Sequence, residues 1–126
     1  MLVPYMRKVT DHIHSLGYVT NLHSCGKVER LVPCMIEAGW DCWDGMAIND
    51  YHMLYEQYGD KFMMNVPATE CPSNADTDTQ KAWAAKFVDE FAVREKPSVL
   101  SNYDNPGLDF DYELYKLTRE KLDDEK

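Results

Sequence analysis

The sequence predicts an α/β protein of four β/α units, whose parallel strands correspond to the C-terminal half of a TIM (β/α)8 barrel. Short apolar runs alternate with amphipathic helices, which is typical of βαβ units and a parallel sheet. The chain has 126 residues, about half the length of a typical complete barrel. Because helical spacing begins at the second residue with no strand before it, we favour a half barrel over a small open sheet.

The first predicted helix covers residues 2–16 and ends at Gly17. Apolar side chains recur in it at spacings of three and four and form one apolar face. These side chains are Leu2, Tyr5, Met6, Val9, Ile13 and Leu16.

Four strands are predicted where runs rich in β-branched and apolar residues are bounded by turn residues. They cover residues 18–25, 41–44, 61–66 and 98–103. Helical periodicity predicts the four elements that follow these strands, over residues 28–38, 49–58, 79–93 and 112–122. Pro33 is tolerable only in or near a first turn, Asn49 is a plausible helix cap, and a charged tail begins at Asp123.

Composition limits the classes of function. Thirteen Lys and Arg against 22 Asp and Glu give 13 − 22 = −9, which argues against binding of nucleic acid. No apolar stretch is long enough to span a membrane, and no leader pattern is present, so we expect a cytoplasmic protein without a membrane partner. We expect one domain over residues 1–126, with its four cysteines reduced.

The chemistry of α/β folds lies at the carboxyl ends of strands, and the first strand ends in a histidine and a cysteine. Because alternate side chains of a strand share a face, His23 and Cys25 point to the same side. An imidazole and a thiol that face a common point are two ligands of a tetrahedral zinc site. The alternative is a polar residue and a buried thiol at the end of a core strand.

A third zinc ligand has several candidates. Cys71, in the polar loop over residues 67–76, is the best of them. Weaker carboxylate candidates are Asp104, Asp44 and Glu70. Asp44 could instead orient His23 or cap the next turn. We identify no Ser-His-Asp or Cys-His arrangement with supporting residues, so no protein nucleophile is expected.

Four segments carry a resemblance to a known family. Residues 23–29, 35–41, 49–50 and 54–61 resemble the C-terminal half of the uroporphyrinogen decarboxylase superfamily, and more narrowly its branch of cobalamin-dependent methyltransferases. The resemblance implies a barrel whose N-terminal half is absent here.

In that methyltransferase branch, a His-x-Cys motif and a distant cysteine hold a zinc ion that activates a thiol to accept a methyl group from a methylated corrinoid. His23 and Cys25 match the first two ligands. The family's third ligand lies near the last strand, where residues 101–104 contain no cysteine. Either Cys71 or Asp104 substitutes, or the ligand set differs.

Two other functions remain open. The first is decarboxylation of a tetrapyrrole, as in other members of the superfamily, but the aspartate and arginines implied for that reaction belong to the absent half. The net charge of −9 also disfavours a tetra-anionic substrate. The second is a non-catalytic half barrel that works only when paired, as a homo-oligomer or with a separate N-terminal half. The methyltransferase hypothesis implies a corrinoid ligand or a corrinoid protein as partner.

Overall fold

The computed structural model describes residues 2–102 and 107–124. It contains helices α1 (Val3–Ser15), α2 (Val32–Glu37), α3 (Tyr51–Tyr58), α4 (Thr77–Phe91) and α5 (Leu108–Asp124). Its strands are β1 (Asn21–Ser24), β2 (Cys42–Gly45), β3 (Met63–Pro67) and β4 (Ser98–Ser101). The strands form one parallel sheet in the order β1-β2-β3-β4 and alternate with the helices. The predicted fold class of four β/α units is therefore confirmed.

The chain divides into two compact units, Met1–Asn65 and Val66–Lys126. The first unit contains α1, α2 and α3 together with β1, β2 and the start of β3. The second unit contains the end of β3, followed by α4, β4 and α5.

The core of the first unit is built around Trp43 on β2, which is completely buried. Its indole stacks on the ring of Tyr51 with centroids 5.4 Å apart, and its Nε1 donates to Ser24 Oγ at 2.8 Å. Gly45 leaves room for this indole, because a Cβ at position 45 would lie 2.1 Å from Trp43 Cζ2. The strand end that carries Ser24 is thus joined to the core by both apolar and polar contacts.

Helix α1 buries a different face from the apolar one. Its buried residue is Thr10, whose hydroxyl donates to the carbonyl oxygen of Ala38 at 2.6 Å. The stripe of apolar side chains is mostly exposed, with Leu2 at 72%, Tyr5 at 67% and Val9 at 52%. The periodicity predicted the helix correctly, but the described part of the first unit does not cover its apolar face.

The second unit holds a continuous apolar cluster from α4, α5 and the loop after β3. Its buried members are Ala68, Cys71, Ala84, Val88, Ala92, Phe110 and Leu114. The Phe87 ring packs against those of Phe91 and Phe110, with centroids 5.1 Å and 6.4 Å away. Side-chain burial of this kind is the main source of the unit's stability.

Several boundaries differ from those expected. The segment over 28–38 is a short 3-10 turn followed by α2, with Pro33 in the first turn of the helix as required. Asp50, not Asn49, caps α3, and its side chain accepts from the Met53 amide at 3.0 Å. Helix α5 begins at Leu108 and includes Asp123, which we had assigned to a tail.

No helix within the described ranges is long and apolar enough to cross a membrane.

Candidate metal centre

The carboxyl end of β1 brings His23 and Cys25 together. The strand ends at Ser24, and Cys25 follows before the turn at Gly26. His23 Nε2 lies 3.6 Å from Cys25 Sγ, so the predicted sharing of one face is confirmed. Both residues are exposed, with 60% of the His23 side chain accessible. A substrate or metal ion can therefore reach the two donor atoms.

The separation of these donor atoms fits two corners of a zinc tetrahedron. Zinc–sulfur and zinc–nitrogen bonds of ordinary length at a tetrahedral angle place the two ligand atoms about 3.5 Å apart. The observed 3.6 Å matches this edge. The two donor atoms therefore have the separation that two ligands of one zinc ion would need.

The imidazole of His23 is held from its other side by a carboxylate. Asp44 Oδ2 lies 3.1 Å from His23 Nδ1, and the two residues are register partners in the pairing of β1 with β2. Asn65, in the middle of β3, donates from Nδ2 to Asp44 Oδ1 at 3.2 Å. A carboxylate on the far nitrogen of a metal-binding histidine is the usual supporting arrangement in zinc sites.

Asn49 shapes the two loops beside this site. Only 5% of Asn49 is exposed, and both polar atoms of its side chain are hydrogen-bonded. Oδ1 accepts from the Val28 amide at 2.8 Å, and Nδ2 donates to the carbonyl oxygens of Gly26 and Met46 at 3.0 and 2.8 Å. The loop that follows Cys25 is therefore fixed to the loop that follows β2.

The other ligand candidates belong to the second unit or fall outside the described residues. Cys71 is in the apolar cluster of the second unit, 6% exposed, where burial raises the pKa of its thiol. Glu70 is in the same unit and accepts from Lys86 Nζ at 3.3 Å. Asp104 lies outside the described residues. Over 2–102 and 107–124, no group of three or more His, Cys, Asp and Glu side chains is arranged to hold a metal ion.

The His23 imidazole contacts the Cys25 thiol through one ring nitrogen and the Asp44 carboxylate through the other. The hydrogen-bond network assigns a proton to His23 Nδ1, which donates to Asp44, and leaves Nε2 to accept from the Cys25 thiol. The expectation that no Cys-His pair has a supporting residue is therefore wrong. Of the alternatives that the sequence left for Asp44, the structure shows the one in which Asp44 orients His23, and the pairing of β1 with β2 brings the two residues together.

A second histidine–carboxylate pair lies before the amino ends of β1 and β2. Asp41 Oδ2 is 2.7 Å from His14 Nε2 and also accepts from the amide and the hydroxyl of Thr20, at 2.7 and 2.8 Å. Burial acts to raise the pKa of Asp41, but the hydrogen bonds from His14 and Thr20 outweigh it and hold the pKa below its ordinary value. This pair joins the end of α1 to both strands and lies apart from the thiol.

Comparison with protein-family models, with curated proteins and with solved structures found no match to this chain. The function of the chain is therefore inferred from the side chains that β1, β2 and β3 bring together around His23.

Proposed function

We propose that this chain is part of a zinc-dependent methyltransferase of the uroporphyrinogen decarboxylase superfamily, which moves a methyl group between a corrinoid and a thiol. The observation that carries the proposal is the 3.6 Å separation of His23 Nε2 and Cys25 Sγ, with Asp44 on the opposite ring nitrogen. The resemblance of residues 23–29 to the His-x-Cys motif of that branch supports the same assignment.

The two side chains suit this chemistry. When bound, a zinc ion supplies a positive charge that keeps a coordinated thiol deprotonated near neutral pH. His23 contributes a neutral nitrogen donor whose lone pair is on Nε2, because Nδ1 donates to Asp44. Cys25 contributes a sulfur donor on the exposed side of the loop. The chain itself therefore binds and orients the ion, and the acceptor thiol comes from the substrate.

A third ligand is needed to complete the zinc site, and the donors that could supply it differ in position. Cys71 stays our candidate by sequence, but its sulfur is packed with Ala84, Val88 and other apolar side chains. For Cys71 to coordinate zinc, its loop must leave this cluster. A donor from a partner chain and the substrate thiol are the other ways to complete the coordination shell.

Cobalt(II) binding to the purified chain tests the proposal, because a thiolate ligand gives cobalt a strong charge-transfer absorption. We expect this band in the wild type, its loss in Cys25→Ala, and weaker metal binding in His23→Ala. Cys34→Ala is the matched control, since Cys34 is also an exposed free thiol but lies on α2. Absence of the band in the wild type, or its persistence in Cys25→Ala, would overturn the proposal. Cys71→Ala then tests the third ligand separately.

A half barrel that works only when paired is the second candidate, favoured by apolar faces that the chain leaves uncovered. Both terminal helices carry them, α1 with Leu2, Tyr5 and Val9, and α5 with Leu108, Tyr112 and Tyr115. Exposed apolar stripes of this kind mark interaction surfaces. Light scattering of the wild type and of a Tyr5→Glu, Val9→Glu double variant tests this. We expect a homo-oligomer that the variant dissociates, whereas a wild-type monomer would leave pairing with a separate N-terminal half.

A further inference from the structure

A chain of hydrogen bonds connects side chains of the three neighbouring strands β1, β2 and β3 in the first unit. It runs from Asn65 Nδ2 to Asp44 Oδ1 at 3.2 Å, and from Asp44 Oδ2 to His23 Nδ1 at 3.1 Å. The register explains it. His23 pairs with Asp44, and the pairing of Trp43 with Met64 places Asn65 beside Asp44 in the next row. Neighbouring residues of parallel strands point to the same face of the sheet.

The residues of this hydrogen-bonded chain are less exposed to solvent the farther they lie from the imidazole. The His23 side chain is 60% exposed, that of Asp44 is 24% exposed, and Asn65 is half-buried. A carboxylate with only one oxygen held can rotate about its terminal bond and lose its alignment with the ring. With Oδ1 held by Asn65, Asp44 presents Oδ2 to His23 in a fixed direction.

We propose that Asn65 is a positioning residue for the metal site, which acts through Asp44 to fix the tautomer and the orientation of His23. Which ring nitrogen of a histidine carries the proton is set by the hydrogen bond that the other makes. Asp44 accepts a hydrogen bond from the protonated Nδ1, so the lone pair of Nε2 faces Cys25. The inference rests on the proposed function in so far as Nε2 is the atom that binds the ion.

The chain offers an internal reference for this tautomer. His14 meets the carboxylate of Asp41 through Nε2, at 2.7 Å, whereas His23 meets Asp44 through Nδ1. The two histidines should therefore be opposite tautomers in the same molecule. Nitrogen NMR of the imidazoles distinguishes the two forms in metal-free protein, at a pH of about 8, above the ordinary histidine pKa.

We expect His23 to carry its proton on Nδ1 in the wild type and His14 on Nε2. In Asp44→Asn the amide can donate to Nδ1, so His23 should change to the Nε2-protonated form. In Asn65→Ala the two forms should mix. Asn21→Ala is the matched control, because Asn21 is an exposed asparagine of β1. A wild-type His23 protonated on Nε2, or an unchanged tautomer in Asn65→Ala, would overturn the inference.

Cobalt(II) titration separates this inference from the proposed function. We expect Asn65→Ala to lower cobalt affinity by about 10- to 100-fold, the usual cost of removing an outer-shell partner, with the thiolate band per bound ion retained. If the wild type shows the expected tautomers but binds no metal, the proposed function fails and the positioning role stands. If the wild type binds cobalt but Asn65→Ala binds it equally well, the positioning role fails alone.

Discussion

In the first unit, side-chain hydrogen bonds join the ends of strands and the loops after them, whereas in the second unit an apolar cluster joins α4 to α5. Asn49 and Asp44 each bridge segments in the first unit. Phe110 and Leu114 of α5 pack with Ala84 and Val88 of α4 in the second.

The two kinds of contact have different effects: the apolar cluster mainly stabilises its unit, whereas the hydrogen bonds mainly hold side chains and loops in place. Burial of apolar surface supplies free energy without fixing directions, while satisfied polar networks add less free energy but specify one geometry. We expect core substitutions in the second unit to change stability most, and polar substitutions in the first unit to change the site as well.

The largest expected effect is that of Phe110→Ala. Phe110 is 1% exposed and packs against Phe87, so truncation should lower the free energy of unfolding by about 3–5 kcal/mol. Urea unfolding followed by circular dichroism measures this. Leu108→Ala on the same helix is the control, because Leu108 is 84% exposed, and its effect should be close to zero. Equal effects of the two variants would show that the apolar cluster does not stabilise the chain.

Asn49→Ala is the corresponding change in the first unit. It removes the side-chain partners of the Val28 amide and of the Gly26 carbonyl group, while the Met46 carbonyl group keeps its hydrogen bond from the backbone amide of residue 49. We expect a loss of about 2–4 kcal/mol, because unsatisfied buried polar groups each cost about 1–3 kcal/mol. Urea unfolding gives the stability, and hydrogen exchange of the Val28 amide gives the state of the loop.

The same variant tests whether the polar network positions the site. In Asn49→Ala the Val28 amide should exchange faster even under conditions in which the chain stays folded, and cobalt affinity should fall. A Phe110→Ala chain that is still folded should keep both properties of the wild type. If Asn49→Ala loses stability while its loop and its metal binding stay unchanged, the contrast between the two units is wrong.

Gly45→Ala should have an intermediate effect, of about 1–3 kcal/mol, because it forces a methyl group against the buried indole of Trp43. Near-ultraviolet circular dichroism reports the displacement of the indole, and urea unfolding reports the cost. Gly17→Ala is the control: at that position a Cβ meets nothing within 4 Å, and the cost comes from its φ of +81° alone. A displaced indole signal in Gly17→Ala but not in Gly45→Ala would contradict this account.

The sequence predicted what depends on local pattern. Apolar periodicity gave the order of the four strands and five α-helices in the described ranges, but not all of their boundaries. The spacing of His23 and Cys25 gave the donor pair that the structure brings together. It missed the roles of Asn65 and Asn49, because their contacts with Asp44 and Val28 span 21 residues along the chain. Such contacts depend on strand register, which local periodicity does not determine.

The exposed apolar side chains of α1 also show that local spacing does not predict long-range contacts. Spacing identified an apolar face containing Tyr5 and Val9, but not which surface covers it. The buried residue of α1 is Thr10, because its hydroxyl reaches the free carbonyl group of Ala38 at the end of α2. A hydrogen bond across 28 residues has no signature in the pattern of one helix.

The smallest expected effect concerns pH and the pair of Asp41 with His14. The pKa of Asp41 is lower in the folded chain than its ordinary value of 3.8, so the folded state binds fewer protons and the stabilisation is present above that value. This stabilisation is lost as the pH falls below 3.8 and passes the pKa that Asp41 has in the folded chain. Because the Asp41 side chain is 42% exposed, solvent screening limits the contribution to less than about 1 kcal/mol.

Urea unfolding at a series of acidic pH values, for the wild type and for Asp41→Asn, measures this contribution as the difference between the two stability curves. The curves should converge as the pH falls through the folded pKa of Asp41, since the protonated wild type then resembles the variant. Asp11→Asn is the control, because Asp11 is an exposed carboxylate of α1 that pairs with Arg7 at 3.9 Å. The stability of this variant should change with pH in parallel with that of the wild type. If the curves of the wild type and Asp41→Asn instead separate further in acid, then the hydrogen bonds from Thr20 and His14 do not favour the ionised carboxylate, and the polar network of the first unit does not extend to the amino ends of its strands.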